Sequence, residues 1–412
     1  MHFSTKPFSA NGIEYYPAPR PIVVVCMDGS ADEYYNAALA RDLLPHIKKM
    51  ICAGFRGSVR DALPSFTNVN NASIVTGVAP DIHGICGNFF YDELKDEEVM
   101  MNSADYLRAE TILSAAANAG RRVAVITAKE KLRDILSSNL HGIAFSAEKA
   151  GLAQSKSHGI EEVENLIGLK TPPIYSAEAS LFVLRAGAVL IEKGIADFLY
   201  LSLTDYIQHS NGPDSQGALD FYQRLDQEFG RLLSLNALIG TVPDHGMNAK
   251  MNKDGKPNVL FIEDMLEDQF GSGFRVICPI TDPYVKHHGA LGSYVVVHIS
   301  DKSLIENVKC WLQEQRGVTE VYTRQEAARV LEQPIDRIGD LILLSSRDTV
   351  LGRKPAFHDL SVLDGPLRSH GGRYEEMVSM IISSPLNQQY RLKADGDPRN
   401  FQIFDFTING TN

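Results

Sequence analysis

The chain has 412 residues, 44% of them hydrophobic, with 40 Lys+Arg against 51 Asp+Glu and a formal net charge of −11. That composition supports a sizeable core and excludes disordered, collagen-like and mini-protein classes; the length points to about two or three domains, or one large α/β domain with an insertion. The acidic balance argues against a nucleic-acid binder, whose footprint is basic, so a bound anion would need local cations, metals or helix N-termini.

In chain order, PIVVVCM (21–27), RVAVIT (122–127), DFLYLSL (197–203) and NALIGTV (236–242) predict buried parallel strands, because each run is nearly continuous in apolar residues. Helical patterns at about 35–53, 105–119, 178–193 and 215–235 alternate with them. This order predicts a doubly wound, mostly parallel α/β sheet with helices on both faces. FRGSVRDA reads as a further strand before a helix in LPSFTNVNNASIVTG (63–77). Between Met251 and Ile335 the character changes: NVLFIEDM, FRVICPI and GSYVVVHI are strand-like and a charged helix follows near 301–316. We read this stretch, 251–335, as an inserted α+β cap, leaving 1–250 and 336–412 as the core, with GDLILLSS (339–346) a late strand in it.

Cysteines 26, 52, 86, 278 and 310 are widely spaced with no CxxC pair, which predicts a reducing compartment. No apolar run has signal-peptide or membrane-spanning length, so the expectation is a soluble cytoplasmic protein without a membrane partner. The NAS sequon at Asn71 is then unused.

In an open α/β sheet, ligands sit outside the carboxyl ends of the strands. Asp28 follows the first strand, Asp205 the strand at 197–203, and Asp244 and His245 the strand at 236–242. Three carboxylates on one sheet edge repel unless a divalent metal holds them. His209 stands four residues after Asp205, on the same side of a helical turn, and His370 lies in SHGG. The conjunction of DGS, TDYIQH, DHG and SHGG predicts a dinuclear site; mixed carboxylate and imidazole sets suit zinc, with manganese or iron as alternatives. Thr67 lies near a helix N-terminus, where unpaired N–H groups favour phosphate and an alkoxide; read alone, it is more simply an N-cap. Lys129 and Lys131, in TAKEKL after the strand at 122–127, could reach a small dianion at the same edge.

These motifs, together with PSFTNVNNASIVTG and GNFFYD, resemble the alkaline phosphatase superfamily, near the nucleotide pyrophosphatase/phosphodiesterases and nearer still to phosphonoacetate hydrolases. The resemblance implies two zinc ions, one held by Asp205, His209 and His370, the other by Asp28, Asp244, His245 and the nucleophile Thr67. It implies that Asn88 contacts a phosphoryl oxygen and that Lys129 and Lys131 hold a substrate carboxylate. The implied reaction is hydrolysis of the carbon–phosphorus bond of phosphonoacetate to acetate and phosphate, through a phospho-threonine. A nucleotide pyrophosphatase/phosphodiesterase-type esterase is the alternative; a mutase-like isomerase, which uses serine, and an inert metal-binding protein are less favoured. The expected partner is a small phosphonate, with a homodimer left open. His287 and His288 (VKHHG) are read mainly as cap-surface residues, and Arg373 as a secondary candidate.

Overall fold

The computed structural model describes residues 3–363 and 365–411. Two sheets carry the architecture. Their strands, in chain order, are β1 (Ile22–Cys26), β2 (Phe55–Arg60), β3 (Val123–Thr127), β4 (Ile143–Ser146), β5 (Phe198–Ser202), β6 (Leu238–Val242), β7 (Phe274–Ile277), β8 (Tyr294–Ile299), β9 (Val318–Thr323), β10 (Leu341–Ser345) and β11 (Met377–Ile382). The larger sheet has the order β2-β11-β6-β1-β5-β3-β4. Pairing from β6 through β4 is parallel, and only β11 runs against its neighbours.

Every residue of β1 is buried. Side chains alternate across a strand, so Ile22, Val24 and Cys26 enter one core and Val23 and Val25 the other. Helices Thr67–Thr76, Ile112–Asn118 and Ile403–Ile408 cover the first face; Asp32–Leu39, Ala177–Glu192 and Gln216–Ser234 cover the second. The last of these buries Leu225, Phe229 and Leu232, a helical stripe facing the sheet. Each such side chain contributes roughly 1.5–3 kcal/mol on burial.

The single helix expected over 35–53 is two, Asp32–Leu39 and Pro45–Ala53, because Pro45 starts a new helix and disfavours helical backbone in the residue before it. NVLFIEDM is strand only at Val259–Phe261 and continues as helix Ile262–Phe270. The smaller sheet has the antiparallel order β7-β8-β10-β9. β10 is therefore one of its inner strands, not a late strand of the core. That sheet and the helices packed on it, the smaller lobe, therefore take in Leu341–Ser345, past residue 335, where the sequence reading ends the cap.

Candidate metal centre

In the larger sheet β6, β1, β5 and β3 are consecutive neighbours. Their carboxyl ends deliver Asp244 and His245, Asp28, Asp205, and the Lys129/Lys131 segment to one edge. Gly29 has φ +66°, and a Cβ there would lie 2.7 Å from Asp205 Cβ, so the turn after β1 depends on glycine. His370 arrives on a short strand, Arg368–Ser369, paired with Asn248–Ala249. The structure brings together two buried groups, Asp205 with His209 and His370, and Asp28 with Asp244 and His245; within each, the donor atoms lie within 4.8 Å of one another.

Backbone carbonyls fix the three imidazoles. Nδ1–H donates to Arg368 O at 2.8 Å in His209, to Gly246 O at 2.8 Å in His245, and to Ser65 O at 2.6 Å in His370. A carbonyl only accepts, so each ring keeps a proton on Nδ1 and directs Nε2 into the cluster. This second-layer arrangement orients histidines that bind metals. His209 Nε2 stands 2.8 Å from Asp205 Oδ2, and His245 Nε2 3.3 Å from Asp28 Oδ1. Both Asp28 oxygens and His209 Nε2 are buried without a hydrogen bond. A donor set of carboxylate oxygens and imidazole nitrogens with such orphaned atoms fits a divalent cation in each group.

The two groups touch. The His245 and His370 rings stack at 3.5 Å and 5°, too close for both to be charged. Burial opposes charge on His245, but Asp244 and then Asp28 outweigh it and lift this imidazole well above its usual range. Burial first, then His245, holds His370 well below it. Asp244 is pushed up by burial and by Asp28. Burial would raise Asp205 too, but Lys129 and then His209 hold it well below the usual carboxylate range.

Thr67 is the first residue of its helix; Phe66 takes the N-cap position, so the capping role is not the one Thr67 has. Its hydroxyl lies 3.4 Å from His245 Nε2. Asn88 is buried, with Oδ1 accepting from Asn68 N–H at 3.1 Å and Nδ2 donating to Ile280 O at 3.0 Å. One amide N–H remains to it. Lys129 Nζ donates to Asp205 Oδ1 at 2.8 Å and lies 3.6 Å from Asp28 Oδ2, between the two groups. Lys131 Nζ donates to Asp282 Oδ2 at 2.6 Å. His287 and His288 are not on the cap surface: both are buried, and their rings lie 5.4 and 5.7 Å from that of His209. Arg373 instead pairs with Glu320 and Glu376.

Three contributors lie outside the site residues singled out in the sequence. Asn71 donates to Thr67 O at 3.0 Å and Asp244 Oδ2 at 3.2 Å; it is wholly buried, so its sequon is closed off. Gln208 donates to Asp28 O at 3.0 Å. Asp282 reaches the edge from the smaller lobe. The signal that points to Gln208 is its place in TDYIQH between Asp205 and His209, and Asn71 stands one helical turn after Thr67 in PSFTNVNNASIVTG; Asp282 offers none.

Comparison with known proteins agrees with this geometry. The profile of the type I phosphodiesterase/nucleotide pyrophosphatase family matches residues 22–372. Phosphonoacetate hydrolase from Sinorhizobium meliloti 1021, solved with phosphonoformate and with phosphonoacetate, is 40% identical, with a TM-score of 0.93 over 99% of this chain and 100% of that one. Murine ectonucleotide pyrophosphatase/phosphodiesterase 5 shares the fold, with 15% identity and a TM-score of 0.64 over 95% of this chain and 96% of that one. Ectonucleotide pyrophosphatase/phosphodiesterase family member 3 of Rattus norvegicus is 22% identical over 249 residues, 55% of this chain; the match takes in only 25% of that longer relative. Among the described residues no helix is long and apolar enough to cross a membrane. The chain belongs to the type I phosphodiesterase/nucleotide pyrophosphatase family, with an alkaline phosphatase-like fold, and groups there with phosphonoacetate hydrolase.

Proposed function

We propose that the chain is a dinuclear zinc phosphonoacetate hydrolase that makes acetate and phosphate. The observation that carries this reading is the meeting, at one sheet edge, of two three-residue donor groups, a hydroxyl at a helix N-terminus, and two lysines from the adjacent strand end. The full-length likeness to a hydrolase solved with phosphonoacetate supports the choice of substrate. Asp205, His209 and His370 would hold one cation, and Asp28, Asp244, His245 and Thr67 the other, with manganese or iron as alternatives to zinc; such ions supply Lewis-acid charge at a hydroxyl and at phosphoryl oxygens.

The protein's own groups then have distinct tasks. Thr67 gives up its hydroxyl proton to solvent, Oγ1 forms a bond to phosphorus, and the carbon–phosphorus bond breaks with its electron pair going to the acetate carbon. That carbanion is tolerable only if its charge spreads into the carboxylate as an ene-diolate, which then takes a proton. Lys129 and Lys131 stabilise the developing charge; each ammonium has three N–H donors and gives one to a carboxylate partner. Asn88, with one amide N–H free, donates to a phosphoryl oxygen without adding charge. Water then cleaves the phospho-threonine to release phosphate. Cys52 and Cys310 are exposed free thiols, which fits a reducing cytoplasm.

The test is phosphate release from phosphonoacetate by purified protein, stopped by chelator and restored by zinc. Full turnover in chelator, or turnover of a nitrophenyl nucleotide diester but not of phosphonoacetate, overturns the reading.

A further inference from the structure

Lys131 belongs to the core, but its partner does not. Asp282 lies between β7 and β8 of the smaller lobe. The two side chains are 2% and 4% exposed. Asp282 is itself held from its own lobe. Tyr284 N–H donates to its Oδ1 at 2.7 Å. His288 Nδ1 accepts from Ala290 N–H at 3.0 Å, which leaves the ring proton on Nε2, 3.4 Å from the same oxygen. The Tyr284 ring lies 5.6 Å from Lys129 Nζ and 5.9 Å from Lys131 Nζ, within cation–π range of both. Its hydroxyl donates to Glu148 Oε2 at 2.5 Å, tying the ring back to the core.

We propose that Asp282 is a positioning residue for substrate: from across the lobe boundary it clasps the Lys131 ammonium and aims its two remaining N–H groups at the substrate carboxylate. This rests on the reading that Lys131 meets that carboxylate. A lysine has four rotatable bonds in its stem, and an unanchored ammonium spends little time in one geometry. A carboxylate fixed by a backbone N–H and an imidazole N–H is a rigid anchor for it. Burial alone would neutralise Asp282, but Lys131, with His288 and Lys129 adding to it, holds its carboxyl well below the ordinary range, so the clasp stays charged. The anchor also makes substrate binding depend on how the smaller lobe sits on the core.

A double-mutant cycle tests this, with zinc-loaded wild type, Asp282→Asn, Lys131→Ala and the pair. The dissociation constant of phosphonoformate is read by calorimetry and kcat/KM by phosphate release from phosphonoacetate. Zinc content and melting are followed in parallel. Asp282→Asn is expected to weaken both quantities by on the order of 10- to 100-fold. In the Lys131→Ala background the same change is expected to cost less than about twofold, because it acts through a side chain already gone. Asp282→Glu, which keeps the charge, is expected to recover part of the loss. Losses that multiply in the double variant, or an Asp282→Asn protein within twofold of wild type, overturn the proposal. If wild type neither binds phosphonoformate nor cleaves phosphonoacetate, the functional reading falls, and the proposal with it.

Discussion

Asn71→Ala is the perturbation whose size the structure sets most directly. The amide uses all its capacity: two N–H groups on Thr67 O and Asp244 Oδ2, and two lone pairs on Tyr200 OH at 2.8 Å and Ser202 Oγ at 2.9 Å. Truncation leaves two buried hydroxyls and one buried carboxylate short of a partner. Each orphaned group costs about 1–3 kcal/mol, and because hydroxyls rotate and water can enter the space, we expect the lower end, about 3 kcal/mol in total. Asp244 also loses a contact that orients it, so zinc affinity should fall about 10- to 100-fold. Urea unfolding followed by circular dichroism, in chelator and in zinc, measures the first; competition with a chromogenic chelator measures the second. A variant within about 0.5 kcal/mol of wild type and within twofold in zinc affinity would show that Asn71 is not the link between the Thr67 helix and the β6 end.

The inner parallel strands β1, β3, β5 and β6 are legible in sequence because burial on both faces makes them continuous apolar runs, and β2, β7, β8 and β10 read as strands too. β4 is the edge strand of four residues, IAFS, too short to stand out. β10 shows why pattern alone does not assign a strand to a sheet: LILLS is as apolar as β1, and it is an inner strand, but of the smaller sheet. Asp28, Asp205, Asp244 and His245 were legible because each follows its strand within three residues, so local chain direction carries the side chain to the edge. Asp282 meets Lys131 across 151 residues and Asn71 meets Asp244 across 173. Such contacts are set by how the lobes and helices dock, which no local pattern encodes. His287 and His288 were misplaced for the same reason: their burial depends on the cap turning that loop inward.

Three further outcomes follow from the same geometry. Thr67→Ala should lower phosphate release on the order of a thousandfold or more while both metals stay bound, and Thr67→Ser should keep part of the activity; near-normal turnover by the alanine variant would exclude a phospho-threonine. Burial holds the His83 imidazole down to about 3, so between pH 6.5 and 3 the unfolded chain binds the extra proton and stability falls as pH drops, by up to about 1.4 kcal/mol per pH unit. His83→Gln should flatten the stability profile over that window, and wild type and variant losing the same stability between pH 6 and pH 4 in urea titrations would refute the assignment. The last outcome concerns specificity. Lys131→Ala should lower kcat/KM for phosphonoacetate by about 2–4 kcal/mol, roughly 30- to 1,000-fold, because a charge-assisted contact to the developing ene-diolate is lost. A nitrophenyl phosphate ester has no carboxylate and a leaving group that needs no such help, so its slower hydrolysis should fall far less. Lys129→Ala should depress both reactions, because Lys129 also bridges Asp205 and Asp28. The two lysines are thus separable by substrate: a metal-loaded, folded Lys131→Ala variant that loses both activities equally would make Lys131 a general anion-binding or structural residue, and the geometry would no longer distinguish phosphonoacetate from other phosphoryl substrates.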